Sequence, residues 1–208
     1  LFKCLKTYLS VCNYHKKVVF AVNLSTNLFY QNSLYFASFV RASSRTAATM
    51  ESKWSMGKGT LEIPTSLFRK NRNRLAEKLQ AGQVVILQGG DDVPFYDTDI
   101  SYNVFRQESY FTWTCGVREP GCYLAIDVKT GKSYLFVPRL PEEYEVWMGK
   151  LLPCEEFKRI YGVDECYYVD ELKTILKGLN PTSLLTLTGP NTDSGLVAKE
   201  AVFDGIKE

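Results

Sequence analysis

Apolar residues recur at helical spacing near the middle of the first half of the chain. Between Leu61 and Leu79 they stand mostly three or four residues apart, with Arg and Lys between them, which predicts an amphipathic helix. Pro64 suits the first turn of this helix, and Gly82 suits its end. The run VVILQGG (84–90) predicts a short strand that is buried on both faces. A helix followed by such a strand is typical of an α/β fold.

Three apolar runs in the centre of the chain predict a meander of neighbouring antiparallel strands. They are YFTW (110–113), CYLAIDV (122–128) and SYLFVP (133–138). The last two runs are separated by four residues that include a glycine, which is a hairpin signal. The polar stretch FRQES (105–109) precedes the first run and stands at its entrance.

The rest of the chain alternates between short helical and short extended patterns. The expected elements are a loop with a helical turn (141–150), a helix (155–160), a strand (166–169), a helix (170–177) and a strand (183–188). The prediction is an α/β fold: a mixed β-sheet with an antiparallel meander, flanked by helices.

Residues 1–49 differ in composition from the remainder. They hold basic residues but no acid, and the chain starts with Leu while Met50 resembles a start codon. We expect this leader to be translated upstream sequence or a gene-model artefact that does not belong to the fold, and residues 50–208 to be the domain. The alternative is a transit peptide. We expect a cytoplasmic protein, or an organellar one if the leader is a transit peptide.

Charge and hydropathy exclude two classes of partner. The net charge is +2, and the basic excess comes entirely from the leader. The domain therefore lacks the clustered Lys and Arg of a nucleic-acid-binding face. No apolar stretch reaches the roughly 20 residues of a membrane-spanning helix. We expect neither nucleic acid nor membrane as a partner.

The inventory of reactive side chains is small. The one histidine, His15, lies in the leader, so the domain has no Ser-His-Asp, Cys-His or histidine-containing metal site. The six cysteines show no CxxC spacing and are expected to be reduced. Paired carboxylates such as Glu142-Glu143 fall in predicted loops and helix starts, where acids are solvated. We predict no catalytic and no metal-ligating residue in this chain.

Two features stand out from this background. Strand alternation would send Arg106 and Glu108 to the same side, where they either pair with each other or face a ligand. Trp147 lies in the charged stretch EEYEVWMGK, where it either belongs to a small satellite core or contacts a partner as a lid.

From Leu61 to Lys207 the chain resembles the N-terminal, non-catalytic domain of prolidase (Xaa-Pro dipeptidase), in the aminopeptidase P, creatinase and prolidase group. The matching stretches are VVILQGG, FRQESYFTW, GVREPGCYLAIDVKTGKSYLFVPRLP, VWMGK, and NTDSG followed by FDGI. Several long matches in one order are more specific than any short motif.

The resemblance implies a metallopeptidase with a second, "pita-bread" domain that holds two manganese ions. Such an enzyme hydrolyses dipeptides with a C-terminal proline, and it forms a homodimer. The metal ligands of the family belong to that second domain, which this chain does not contain. The family's N-terminal domain shapes substrate access, so the resemblance makes Trp147 and, more weakly, Arg106 substrate-gating candidates.

Two functions stay open. The chain is either the N-terminal part of a manganese-dependent prolidase, inactive alone, or a stand-alone, catalytically inactive dimerisation or binding module from a truncated gene. The chain stops at AVFDGIKE, inside what we expect to be a further element, which favours the first reading.

Overall fold

The computed structural model describes residues 17–20, 52–98 and 105–204, the first of these ranges by its backbone only. The strands in these ranges are β1 (Lys17–Phe20), β2 (Lys53–Ser55), β3 (Glu62–Pro64), β4 (Gln83–Gln88), β5 (Tyr123–Asp127), β6 (Ser133–Val137), β7 (Glu165–Tyr168) and β8 (Ser183–Leu187). The helices are α1 (Ser66–Ala76), α2 (Ser109–Cys115), α3 (Glu145–Met148), α4 (Cys154–Tyr161) and α5 (Leu172–Leu179), with single 3₁₀ turns at Glu142–Tyr144 and Val169–Glu171.

A mixed sheet of six strands forms the centre, in the order β1-β8-β4-β5-β6-β7. Strand β8 runs parallel to both β1 and β4, and β7 runs parallel to β6. Strands β4, β5 and β6 are antiparallel neighbours. The predicted fold class, a mixed sheet with an antiparallel meander and flanking helices, is confirmed.

One member of the meander was predicted wrongly. Residues 110–113 (YFTW) lie in helix α2, and β4 takes the expected place of YFTW beside β5. Aromatic and β-branched residues favour strands, yet Phe111 and Cys115, four residues apart, are both fully buried on one helical face. Tertiary packing overrides the local preference here.

The ends of α2 are fixed by specific residues. The Glu108 carboxylate accepts a hydrogen bond from the Phe111 backbone N–H at 2.7 Å, which caps the N-terminus. Gly116 ends the helix with a φ of 68°. A Cβ on Gly116 would lie 2.5 Å from the Phe68 ring of α1, so both the backbone angle and the close approach of α1 require glycine.

The two faces of the sheet are covered differently. Side chains from α1, α2 and α4 pack on one face together with the buried residues Val85, Leu87, Leu124, Leu135 and Leu185. Helix α5 packs on the other face, through Leu172 and Leu176, with the segment that contains Ala201. Because both faces are covered, the central strands read as continuous apolar runs, as predicted for β4.

The other predicted elements agree with the structure within a few residues. They are the amphipathic helix α1, the β5–β6 hairpin, the helical turn of α3, helices α4 and α5, and strands β7 and β8. The hairpin of β2 and β3 was not predicted, since each strand has only three residues. It is attached to the core by the Trp54 indole N–H, which donates to the Gly116 carbonyl oxygen at 2.8 Å.

The leader contributes one strand to this sheet. Strand β1 pairs with β8 along its whole length. The expectation that residues 1–49 do not belong to the fold is therefore wrong for Lys17–Phe20, and the rest of the leader lies outside the described residues. Within the described ranges, every helix is too short or too polar to cross a membrane.

Candidate functional site

Three of the characteristic stretches meet at the carboxyl end of β4. The side-chain oxygen of Gln107 accepts hydrogen bonds from the backbone N–H groups of Gly90, at 2.6 Å, and Glu108, at 3.0 Å. The Gln107 amide donates to the Glu119 carbonyl oxygen at 2.9 Å. One side chain thus joins VVILQGG, FRQES and the REPGC stretch. We call the residues 89–90, 107–108 and 119–122 the β4 junction.

Backbone contacts close the β4 junction. The Gly89 N–H donates to the Cys122 carbonyl at 2.8 Å, and the Gly121 N–H donates to the Gly90 carbonyl at 2.9 Å. A Cβ on Gly89 would lie 2.9 Å from the Gln107 side-chain oxygen and 3.1 Å from the Cys122 carbonyl oxygen. Glycine at position 89 is therefore required by the approach of neighbouring groups.

The predicted relation between Arg106 and Glu108 does not hold. Position 108 caps a helix, so the alternation of a strand does not apply. Arg106 is exposed. The ion pairs among the described residues do not include one between Arg106 and Glu108. The polar stretch has a structural role, which was one of the two expected alternatives. The residues with this role are Gln107 and Glu108, not the pair Arg106 and Glu108.

A second polar contact lies beside the junction. The buried Tyr161 hydroxyl, at the end of α4, donates to the Glu119 carboxylate, whose two oxygens lie at 2.7 and 2.8 Å. Burial and the negative charge of Glu119 raise the pKa of Tyr161 above its ordinary range. The hydroxyl therefore stays protonated and serves as a hydrogen-bond donor, which is the behaviour of a structural group.

A buried arginine connects three helices beneath this region. Arg72 of α1 is 2% exposed, and its guanidinium donates to the carbonyl oxygens of Thr114 at 3.0 Å and Gly162 at 2.8 Å. These carbonyls stand at the C-terminal ends of α2 and α4, where the partial negative charge of a helix favours a cation. Burial lowers the pKa of Arg72. The sequence pattern did not point to Arg72, because an arginine in an amphipathic helix is expected to face solvent.

Trp147 lies on an exposed surface, unlike the buried polar residues described above. The segment 142–152, which we call the Trp147 segment, comprises a 3₁₀ turn, α3 and the residues after it. The side chain of Trp147 is 86% exposed, and its neighbours Val146 and Met148 are also largely exposed. The expectation of a satellite core around Trp147 is therefore wrong, and the alternative, a surface available for contact, agrees with this geometry.

A cavity of about 420 Å³ lies between the start of α2 and the chain after β8. Glu108, Ser109 and Tyr110 line one side, and residues 187–192, 194 and 196–198 line the other. Asn191, in the NTDSG stretch, accepts backbone N–H bonds from Asp193 and Ser194 at 2.9 and 3.0 Å. This turn fixes the outer wall of the cavity.

Metal chemistry has no support in the described part of the chain. No group of three or more His, Cys, Asp or Glu side chains could hold an ion there. The described residues therefore do not fit a pair of manganese ions, which the resemblance assigns to a second domain. Among the described cysteines, Cys115 and Cys122 are buried, and burial raises the pKa of the Cys115 thiol to about 12.

Comparison with known proteins places these observations in a family. The sequence model of the aminopeptidase P N-terminal domain matches residues 68–185. The human Xaa-Pro dipeptidase is 53% identical over 168 residues, which cover 78% of this chain and 34% of that protein. The rat Xaa-Pro dipeptidase is 52% identical over 168 residues, which again cover 78% of this chain and 34% of that protein. The chain thus spans about a third of the length of these relatives.

A solved structure gives the same assignment. The low-pH form of aminopeptidase P from Escherichia coli superimposes with a TM-score of 0.51 and 26% identity, covering 57% of this chain and 27% of that one. The β4 junction and the meander, both within residues 68–185, lie in the part that the family model matches. This chain belongs to the aminopeptidase P N-terminal domain family.

Proposed function

We propose that this chain is the N-terminal, non-catalytic domain of a manganese-dependent Xaa-Pro dipeptidase, which hydrolyses dipeptides with a C-terminal proline. The observation that carries the proposal is the high identity to two mammalian Xaa-Pro dipeptidases over a region that is only a third of their length. The intact enzyme is a cytoplasmic homodimer in this proposal. In this proposal, catalysis and metal binding belong to a downstream domain, and the residues that the structure describes hold no group of three or more His, Cys, Asp or Glu side chains placed to bind an ion.

The role proposed for the domain itself is to shape substrate access and to support dimerisation. The Trp147 segment presents three exposed apolar side chains, Val146, Trp147 and Met148, and Trp147 is the most exposed of them. Exposed tryptophan is unfavourable in water unless another surface covers it. In this proposal the Trp147 segment approaches the active site of the partner subunit and closes over the dipeptide.

The first experiment measures the native protein. Peptides from residues 105–140, detected by mass spectrometry, identify the species in a lysate, and its mass and Xaa-Pro activity with manganese are determined. A species two or more times as long, with that activity, supports the proposal. A species of about this length that is inert toward Xaa-Pro dipeptides overturns the proposal and supports the stand-alone module.

The gating role is tested by kinetics of the intact enzyme. Trp147→Ala is expected to raise KM or lower kcat for Xaa-Pro dipeptides, and Trp147→Phe is expected to restore part of the loss. Val93→Ala, at an exposed position outside the Trp147 segment, is the control and is expected to leave both constants unchanged. Unchanged KM and kcat in Trp147→Ala would exclude Trp147 from gating.

Arg106 is tested in the same assay. Arg106 is exposed near the β4 junction, and in this proposal its side chain contacts the substrate or the partner subunit. Arg106→Ala is then expected to change KM without changing the thermal stability of the domain. If this variant lowers Tm and leaves the kinetics unaltered, Arg106 is a structural residue and no longer a gating candidate.

A further inference from the structure

The chain that leads into the Trp147 segment is attached to the sheet by Arg139. Strand β6 ends at Val137, and Arg139 follows two residues later. The Arg139 guanidinium donates from Nε to one Asp170 carboxylate oxygen at 3.0 Å and from a terminal nitrogen to the other at 3.4 Å. The same guanidinium lies over the Tyr168 ring, 3.8 Å from its centre. A bidentate bond to a carboxylate, combined with a stacked ring, fixes the orientation of an arginine.

The partners of Arg139 are held in place by the sheet. Tyr168 lies opposite Val137 in the parallel pair of β6 and β7, and its partly buried side chain packs against the core. Asp170 and Glu171 belong to the 3₁₀ turn that follows β7. The Glu171 carboxylate oxygen that accepts the Tyr168 backbone N–H at 3.0 Å also lies 3.8 Å from Arg139. We call residues 139, 168, 170 and 171 the Arg139 clamp.

The Trp147 segment has few free joints between this clamp and α4. Pro138 and Pro141 lie on either side of the clamped residue, and the proline ring fixes φ near −65°. The Glu145 carboxylate accepts a hydrogen bond from the Leu151 backbone N–H at 3.1 Å, which closes the segment beyond Trp147. The direction in which Trp147 points therefore depends on the clamp at the start of the segment.

The Arg139 clamp contributes little to the stability of the domain. The side chains of Arg139 and Asp170 are 54% and 59% exposed, and ion pairs at such positions change the free energy of unfolding very little. A cation over a partly exposed ring also makes a small contribution. The clamp therefore acts mainly on the orientation of the segment.

We infer that Arg139 is the positioning residue of the substrate gate, because it holds the segment in the orientation in which Trp147 closes over the dipeptide. The inference rests on the gating role proposed above. Arg139 acts through Trp147 and does not touch the substrate. Without the clamp the segment samples other orientations, so the closed form is less populated and the apparent affinity for substrate falls by that fraction.

The test compares variants of the full-length enzyme with manganese. Arg139→Ala should raise KM for Xaa-Pro dipeptides about three- to tenfold, change kcat by less than about twofold and lower Tm by less than about 3 °C. Arg139→Lys keeps the charge without the bidentate geometry and should recover part of the loss. Arg159→Ala is the matched control, since it removes an exposed bond of the same kind to Glu156 at 2.8 and 3.0 Å and should leave KM unchanged.

A second readout does not depend on activity. Hydrogen exchange is measured by mass spectrometry on peptides that cover residues 140–151 of the same proteins. Exchange should be faster in Arg139→Ala than in the wild type and in Arg159→Ala, because the segment has lost its attachment. Equal exchange in all three proteins would overturn the inference, as would a fall in Tm above about 5 °C in Arg139→Ala, which marks a structural residue.

A double variant separates this inference from the gating proposal. Because Arg139 acts through Trp147, the variant that carries both Arg139→Ala and Trp147→Ala should have the KM of Trp147→Ala alone. Additive effects would show an independent role for Arg139 and contradict the inference. Normal kinetics in Arg139→Ala with impaired kinetics in Trp147→Ala would also contradict it, and the gating proposal would stand. Normal kinetics in Trp147→Ala would overturn the gating proposal and this inference together.

Discussion

The β4 junction and the Trp147 segment differ in how their side chains are placed: those of the junction are hydrogen-bonded within the protein, and those of the segment face solvent. In the junction, Gln107 alone makes three hydrogen bonds, and the nearby Arg72 is buried with two carbonyl partners. In the Trp147 segment, Val146, Trp147 and Met148 present apolar surface to solvent. Polar side chains are hydrogen-bonded within the protein at and near the β4 junction, whereas apolar side chains are exposed to solvent in the Trp147 segment.

This contrast separates residues that stabilise the fold from residues that are available to bind a partner. A buried polar group contributes to the fold when its partners are supplied by the same chain, and it is costly when one is removed. An exposed apolar group contributes little to the fold and becomes useful when a second surface covers it. We therefore expect mutations in the two regions to differ sharply in their effect on unfolding.

The largest loss of stability is expected from Arg72→Ala. This change leaves the Thr114 and Gly162 carbonyl oxygens without their buried donor and creates a cavity, so the free energy of unfolding should fall by about 3–5 kcal/mol. Urea unfolding measures it. Arg69→Ala on the same helix, at an exposed position, is the control, with a change below about 0.5 kcal/mol. Equal effects of both variants would contradict the assigned role.

The next effect is expected from Gln107→Ala. The change removes the acceptor for Gly90 and Glu108 and the donor to Glu119, so the loss should be about 2–3 kcal/mol. Thermal or urea unfolding checks the value. Arg106→Ala, one residue away, is the matched control and should change the stability by less than about 0.5 kcal/mol. If Arg106→Ala were the more damaging variant, the junction would depend on the residue we have placed at its surface.

A smaller effect, with a distinct pH dependence, is expected from Tyr161→Phe. It removes the hydrogen bond to Glu119 and should cost about 1–2 kcal/mol at neutral pH. Because the pKa of Tyr161 is raised in the folded protein, its contribution is complete below the unfolded tyrosine pKa of about 10 and is lost as the pH rises through the folded pKa.

The wild-type protein should accordingly lose stability at alkaline pH, and Tyr161→Phe should lose less over the same range. Urea unfolding at a series of pH values above 9 measures both slopes. Parallel slopes for the two proteins would show that Tyr161 does not hold its proton more tightly in the folded state.

The smallest effect on stability is expected from Trp147→Ala. Because the side chain is 86% exposed, its removal should change the free energy of unfolding by less than about 0.5 kcal/mol. Chemical denaturation of the domain measures this. A loss above about 1 kcal/mol would mean that Trp147 packs within its own chain and would remove the contrast between the two regions.

The sequence was informative where a local pattern and the tertiary environment agree. The apolar run of β4 and the glycine-containing connection between β5 and β6 were predicted correctly, since both depend on neighbouring residues alone. The helical spacing of α1 was also recognisable. Trp147 was found as a candidate because a large aromatic stands among charges, and this signal does not need the fold.

The sequence was misleading where distant contacts decide. YFTW has the composition of a strand, yet residues 109–115 form a helix because Glu108 caps it and Phe111 and Cys115 fit one buried face. Gln107 gave no signal beside the charged Arg106 and Glu108. Its partners Gly90 and Glu119 are 17 and 12 residues away, and only the folded chain brings them into hydrogen-bonding distance.

The sequence by itself determined the fold class, the order of most elements, the family and the lack of histidine chemistry in the domain, because these depend on composition, periodicity and long matching stretches. The tertiary structure alone decided that Arg72 is buried and that Gln107 joins three segments. Such pairings follow from how helices and strands pack in space, and no local pattern encodes a partner that lies far along the chain.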